Sequence, residues 1–310
     1  MNRVAFLFPG QGSQYVGMGR DFYEKYSFVK DLFNLASEIT SFDFAHLCFS
    51  GSEDVLTTTR YVQPAITLVN IACFEVLKYN GIHPAVVGGH SLGEYSALYA
   101  AEVLDFSQVM KLVQIRGAAM QEAAEKKPGA MAAVMTLPIS DIENICNKCG
   151  VEIANINSPE QIIITGTLER IDKAMEAFRE KGARRCIKLN VSGPWHSRYM
   201  QHAQKELERA MEKEIFGEPQ IQVICNVDAN YLSSGNEARR KLSQQLCGSV
   251  LWLESMKKLI RDGYEMFIEV GPKKVLSGLI RRISRDIVIF QVEDSSSLNK
   301  VLTSLESTSY

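Results

Sequence analysis

The chain has 310 residues, 46% of them hydrophobic and 23% charged, with a formal net charge of -2. At roughly 150 residues per domain this length predicts two domains or one core with a large insertion, and the composition excludes disordered, collagen-like and low-complexity chains. Lys and Arg number 34 against 36 Asp and Glu, so no basic field draws in nucleic acid, and any anion must be held locally.

In chain order, Val4 to Phe8 is a short apolar run ended by Pro9-Gly10, which predicts a buried strand entering a loop that reaches Gln14. A periodic helix from Gln63 to Lys78 stops at Asn80-Gly81. A strand, Ala85 to Gly88, and two helices, Gly93 to Leu104 and Gln108 to Ala124, come next. This alternation predicts an α/β fold with a mostly parallel sheet.

The polar link Glu125-Lys-Lys-Pro-Gly129 then marks a boundary. Beyond it lie a strand (Ala130 to Leu137), a helix (Ser140 to Cys149) opened by the capping-box pattern Ser140-Asp-Ile-Glu143, and strands Val151 to Asn155 and Gln161 to Thr165 joined at Asn157-Ser-Pro159. A helix from Leu168 to Lys181 and a strand from Arg185 to Asn190 complete a βαββαβ order, the ferredoxin-like motif. The alternation resumes with a helix from Arg198 to Met211, a strand from Gln222 to Asn226, helices Ala238 to Gln245 and Ser255 to Asp262, and a strand from Met266 to Glu269. A helix from Lys274, a strand from Ile287 to Gln291 and an amphipathic helix carrying Leu298, Val301, Leu302 and Leu305 end the chain. The expected organisation is a large domain of residues 1–128 and 197–310, with residues 129–196 inserted as a ferredoxin-like subdomain.

Seven widely spaced cysteines, an odd count, fit free thiols in a reduced, cytoplasmic setting better than a disulfide framework. Cys146-Asn-Lys-Cys149 has no second CxxC to complete a metal or redox site. No apolar run approaches the roughly 18 residues of a membrane span, so no membrane partner is expected.

Gly89-His-Ser-Leu-Gly93 is GxSxG between a predicted strand and a predicted helix, the context of a nucleophile elbow. Gly89 and Gly93 let strand and helix approach through a strained turn that projects the Ser91 hydroxyl, and the Leu92 amide faces the same side, where it can stabilise an oxyanion. A serine needs a base. Of five histidines, His90 adjoins Ser91 but points elsewhere, and His46, His83 and His202 lie at helix ends or surfaces. His196 stands where the chain returns to the main sheet, and is the expected base. Arg116 interrupts a largely apolar helix; a guanidinium in a cleft matches a carboxylate bidentately and keeps its charge when desolvated, so an acidic acyl group is expected.

Together Phe8-Pro-Gly-Gln-Gly-Ser-Gln14, Gly89-His-Ser-Leu-Gly-Glu94, Gln114 to Ala123, Ala154-Asn-Ile-Asn-Ser-Pro159, Val191-Ser-Gly-Pro-Trp-His-Ser197 and Glu269-Val-Gly-Pro272 resemble the malonyl-CoA:acyl carrier protein transacylase family over nearly the whole chain. The resemblance implies an α/β-hydrolase-like large domain with an inserted ferredoxin-like (βαββαβ) small domain and the active site between them. It implies ping-pong transfer of malonyl from malonyl-CoA to the pantetheine thiol of acyl carrier protein for fatty acid synthesis, with no metal and no cofactor. Ser91 would be the nucleophile, His196 the base and Arg116 the carboxylate clamp. Gln11 and the Leu92 amide would form the oxyanion hole, Gln63 and Trp195 would join the substrate-binding residues, and the Gln245 carbonyl would orient the histidine. Lys273, Lys274, Arg281 and Arg282 cluster after Pro272 and are the candidates for docking an acidic carrier protein. Two positions depart from the family pattern. Ser249 stands where proline is usual, predicting a looser histidine-orienting loop, and Trp195 stands where Phe or Ser is more frequent, predicting a tighter acyl pocket.

Overall fold

The computed structural model describes residues 3–307. Five parallel strands form the main sheet: β1 (Val4–Phe8), β2 (Val86–Gly89), β7 (Gln222–Ile224), β8 (Met266–Val270) and β9 (Val288–Val292), in the order β7-β2-β1-β8-β9. Strand β1 lies at its centre with all five residues buried, which is why its sequence is an unbroken apolar run rather than an alternating one. Because β1, β2 and β8 are adjacent and parallel, the loops that leave them at Pro9, His90 and Gly271 gather at one sheet edge, where open α/β sheets bind ligands.

The strands between β2 and β7 in sequence form a second, antiparallel sheet: β3 (Gly129–Met135), β4 (Glu152–Ser158), β5 (Gln161–Thr167) and β6 (Arg185–Lys188), in the order β4-β5-β3-β6. With helices Ile139–Cys149 and Leu168–Glu180 on one face, this is the ferredoxin-like arrangement. Two local expectations fail. No capping box forms at Ser140, because Pro138, extended at φ -57° and ψ 142°, sets the chain direction and the helix begins at Ile139. The capping box that does form is Asp105 with Gln108, opening the long helix Phe106–Lys126. Strand β4 also runs through Asn157 to Ser158, so Asn157 is a strand residue and not part of the turn.

The helix Thr59–Tyr79 packs along Phe106–Lys126 and is buried for most of its length. Asn70, on its inner face, donates to the Pro9 carbonyl at 2.9 Å and so anchors the loop after β1. Four helices between Arg20 and Thr57, of which Ser27–Thr40 is the longest and buries Val29, Phe33 and Ala36 on one face, fill the chain between that loop and Thr59.

Candidate active site

Strand β2 turns into helix Gly93–Ala100 through Ser91, which is left-handed at φ 51°. A Cβ on Gly89 would lie 1.9 Å from the Gly93 carbonyl carbon, and one on Gly93 would lie 2.0 Å from the Phe8 oxygen, so both positions accept only glycine. The Ser91 hydroxyl stands 2.7 Å from His196 Nε2. On the other side of the ring, His196 Nδ1 lies 2.9 Å from the Gln245 carbonyl and 3.2 Å from the Gly248 carbonyl. Carbonyls only accept, so Nδ1 carries the proton and Nε2 offers its lone pair to the serine. Burial, reinforced by the nearby Arg116 charge, pushes the His196 pKa down to about 3, which keeps the ring neutral.

Arg116 is only 1% exposed. Its Nη1 donates to Gln63 Oε1 at 2.8 Å, and its Nη2 donates to the Ser91 hydroxyl oxygen and to Gln245 Oε1, both at 3.2 Å. Its Nε has no hydrogen-bond partner among the described residues, and no carboxylate lies within ion-pair distance of the guanidinium. Burial lowers its pKa. Tyr95, whose ring centre is 5.7 Å from the guanidinium, and the Glu94 charge offset part of the desolvation cost, and an anion arriving beside Ser91 would offset more of it.

A cavity of about 340 Å³ opens beside Ser91, His196 and Arg116. Gln11, Leu92 and Trp195 line it, with Met131, Ala133 and Ile163 of the antiparallel sheet opposite and Val275, Leu276 and Leu279 at its edge. Gln63 does not line it; fully buried, it touches the Arg116 guanidinium and, through Nε2 at 3.3 Å, the Met120 sulfur, and both of those residues do line it. The basic cluster is split. Lys273, left-handed at φ 63°, borders an adjoining groove with Gln11, Gly12 and Ser192, and Lys274 follows it on the surface. Arg281 and Arg282 lie in the last turn of helix Val275–Ile283 and border neither the cavity nor that groove.

The loop around Ser249 is not loose. The Ser249 hydroxyl donates to the Ile153 carbonyl at 2.5 Å, the Val250 amide donates to Ala154 O at 2.8 Å, and the Ile156 amide donates to Val250 O at 2.9 Å. Three bonds to β4 hold the segment that carries the histidine-orienting carbonyls, doing by tethering what a proline would do by restricting φ.

Several polar residues at the site have no counterpart in the sequence reading. Glu94 accepts from Gln245 Nε2 at 2.7 Å and from the Asn226 amide at 3.2 Å; burial raises its pKa to about 7, against the lowering effect of these donors. His90 does point away from Ser91, and its Nε2 is 2.8 Å from Asn157 Oδ1 on the cavity wall. Glu94 directly follows GxSxG and was within reach of motif reading; Asn226 carried no signal, being one asparagine after a short strand.

A serine on a strand-to-helix turn, its histidine and a buried arginine at the edge of a parallel sheet define an α/β enzyme of the acyl-transfer class. The family model described as an acyl transferase domain matches residues 5–300. A malonyl CoA-acyl carrier protein transacylase of Bacillus subtilis is 39% identical over 99% of this chain and 98% of its own length. The crystal structure of a malonyl CoA-acyl carrier protein transacylase from Clostridium perfringens superposes with a TM-score of 0.95 at 37% identity, covering 99% of this chain and 98% of that one. A complex of a type II PKS acyl-carrier protein with its malonyl-transacylase contains a chain that matches with a TM-score of 0.95 at 36% identity, covering 98% of this chain and 100% of that chain. The chain belongs to the acyl transferase family and, within it, to the malonyl CoA-acyl carrier protein transacylases.

Proposed function

We infer that this protein moves a malonyl group from malonyl-CoA to the pantetheine thiol of acyl carrier protein, supplying the donor for fatty acid synthesis, and that Ser91 and His196 carry the chemistry. His196 Nε2 takes the Ser91 proton as Oγ attacks the thioester carbonyl; the Leu92 amide and Gln11 receive the oxyanion; the thiolate of CoA leaves with the proton from His196. A malonyl-serine ester remains. The carrier-protein thiol then attacks that ester, His196 taking its proton and returning it to Ser91. The complex of a related transacylase with its acyl-carrier protein supports this acceptor.

The observation that carries the malonyl assignment is Arg116, buried, without an ion pair and 3.2 Å from the Ser91 hydroxyl. A neutral acyl chain, as an acyl hydrolase would take, leaves that cation without an ion-pair partner. Removing one partner of a buried ion pair costs about 3 to 5 kcal/mol, so Arg116→Ala is expected to lower kcat/KM for malonyl-CoA by about 10²-fold or more while acetyl-CoA suffers less. Trp195 on the cavity wall is expected to disfavour a 2-methyl branch by about 10- to 200-fold, a preference that Trp195→Ser relaxes. Steady-state kinetics with malonyl-, methylmalonyl- and acetyl-CoA measure all three effects; a parent enzyme that prefers acetyl-CoA overturns the clamp.

For carrier-protein docking, the groove bordered by Lys273 favours Lys273 and Lys274 over Arg281 and Arg282. Reversing charge at Lys273 and Lys274 is expected to raise KM for acyl carrier protein and flatten its salt dependence, while acylation by malonyl-CoA is unchanged. An unaltered salt response excludes this patch. Residues 129–196 act in this reading as the inserted domain that closes the cleft. All seven cysteines are free and no helix among the described residues is long and apolar enough to cross a membrane, which supports the cytoplasmic setting.

A further inference from the structure

Asn226 follows β7, is 2% exposed and does not line the cavity, yet it makes four hydrogen bonds around the reacting serine. Its Oδ1 accepts from the Ser91 amide at 2.6 Å, and its Nδ2 donates to the Gly89 carbonyl at 2.7 Å. One carboxamide thus spans the elbow from the residue before its turn to the serine itself. Its backbone amide donates to Glu94 Oε2 at 3.2 Å, and its carbonyl accepts from the Leu251 amide at 2.9 Å. Leu251 continues the segment whose Gln245 and Gly248 carbonyls hold His196 Nδ1. A second path closes the ring: Glu94 accepts from Gln245 Nε2, which also donates to the Ser91 carbonyl at 3.0 Å.

We propose that Asn226 is a positioning residue for acyl transfer, which locks Ser91 in its left-handed conformation and registers it against the loop that orients His196. A left-handed non-glycine residue persists only where its surroundings over-determine it. Here the half-buried Ser91 amide is satisfied by the Asn226 carboxamide, which also grips the other arm of the elbow. The other side chains that donate to Ser91 among the described residues, Gln245 to its carbonyl and Arg116 to its hydroxyl, leave its amide to Asn226, and with it the setting of Oγ at 2.7 Å from His196 Nε2. Arg116 is held by Gln63 and Gln245, neither of which touches the Asn226 carboxamide, so binding of the malonyl carboxylate does not pass through that side chain. The proposal rests on Ser91 being the nucleophile.

The test is rapid-quench acylation of the full-length protein by malonyl-CoA, with the Ser91 ester read by mass spectrometry, on the parent, Asn226→Ala and Asn226→Asp. Asp keeps the volume and the acceptor for the Ser91 amide but loses the donor to Gly89, and it serves if the alanine variant does not fold. Misplacement of reacting atoms by about an ångström costs about 10²-fold, so the acylation rate is expected to fall about 10- to 100-fold in either variant. Half-saturation by malonyl-CoA should stay at the parental value, and inactivation by a fluorophosphonate, which needs a poised serine but no carboxylate clamp, should slow in proportion. A merely structural role would lower the melting temperature and leave these rates intact below it. Variants that are folded and acylate at the parental rate, or whose loss lies wholly in half-saturation, overturn the positioning role. A parent that forms no ester on Ser91 overturns the nucleophile assignment instead.

Discussion

Ser91→Ala is expected to lower malonyl transfer by about 10⁵-fold or more, because loss of a covalent nucleophile leaves only binding and oxyanion stabilisation. Among the described residues no other hydroxyl combines a strained strand-to-helix turn, a histidine nitrogen at 2.7 Å and a guanidinium at 3.2 Å. The variant loses one oxygen on a turn whose backbone is held by Asn226 and the flanking glycines, so its melting temperature should stay close to that of the parent. Incubation with radiolabelled malonyl-CoA should leave the parent labelled on Ser91 and the variant unlabelled. Label on the alanine variant, or turnover above a trace, would move the nucleophile elsewhere.

His196→Ala should cost about 10²- to 10⁴-fold in acylation rate, the usual contribution of a general base, while malonyl-CoA binding is retained through Arg116. The pH dependence has a definite sign. The native His196 pKa is pushed down to about 3 by burial and the Arg116 charge, whereas a histidine in the unfolded chain titrates near about 6.5. The base is therefore free throughout the neutral and mildly acidic range, and kcat/KM should show no loss attributable to imidazole protonation near pH 6.5. A break near pH 7 is assigned to Glu94, raised to about 7, and Glu94→Gln should remove it. Stability follows the linkage. Below about pH 6.5 the unfolded chain takes up a proton that native His196 refuses, so stability falls as pH drops toward the native value. His196→Ala should soften that acid sensitivity without abolishing it, since burial lowers the His90 pKa in the same direction. A break near pH 6.5 that persists in Glu94→Gln and vanishes in His196→Ala would contradict the depressed histidine.

Much of this molecule is written in local chemistry. The apolar run Val4–Phe8, the glycines on either side of Ser91 and the βαββαβ rhythm after Gly129 each express a constraint met within a few residues: burial on both faces of a strand, room for a tight turn, side-chain periodicity. Such constraints can be read one segment at a time. They single out Ser91, and the resemblance of the motifs to the transacylase family sets His196 and Arg116 beside it. The Ser140 capping-box pattern shows the limit even of local signals, since Pro138 two residues earlier overrides a favourable side-chain pattern.

What only the tertiary structure decided is everything that depends on two distant backbones arriving at hydrogen-bond distance. Ser91 is 105 residues from His196 and 135 from Asn226, and Gln245 is 151 from Glu94. Nothing in the composition around Asn226 distinguishes it from any asparagine after a strand; its role exists only because parallel pairing of β2 with β7 sets it beside the elbow. Ser249 looked like a loosened joint because a missing proline is visible in sequence, whereas the Ile153 carbonyl that tethers it is visible only in space. The basic cluster after Pro272 reads as one patch along the chain, whereas in space Lys273 alone of the four borders the groove beside Gln11. Sequence spacing specifies which groups are available, and a hydrogen bond with a tolerance of a few tenths of an ångström is fixed by the packing that brings them together.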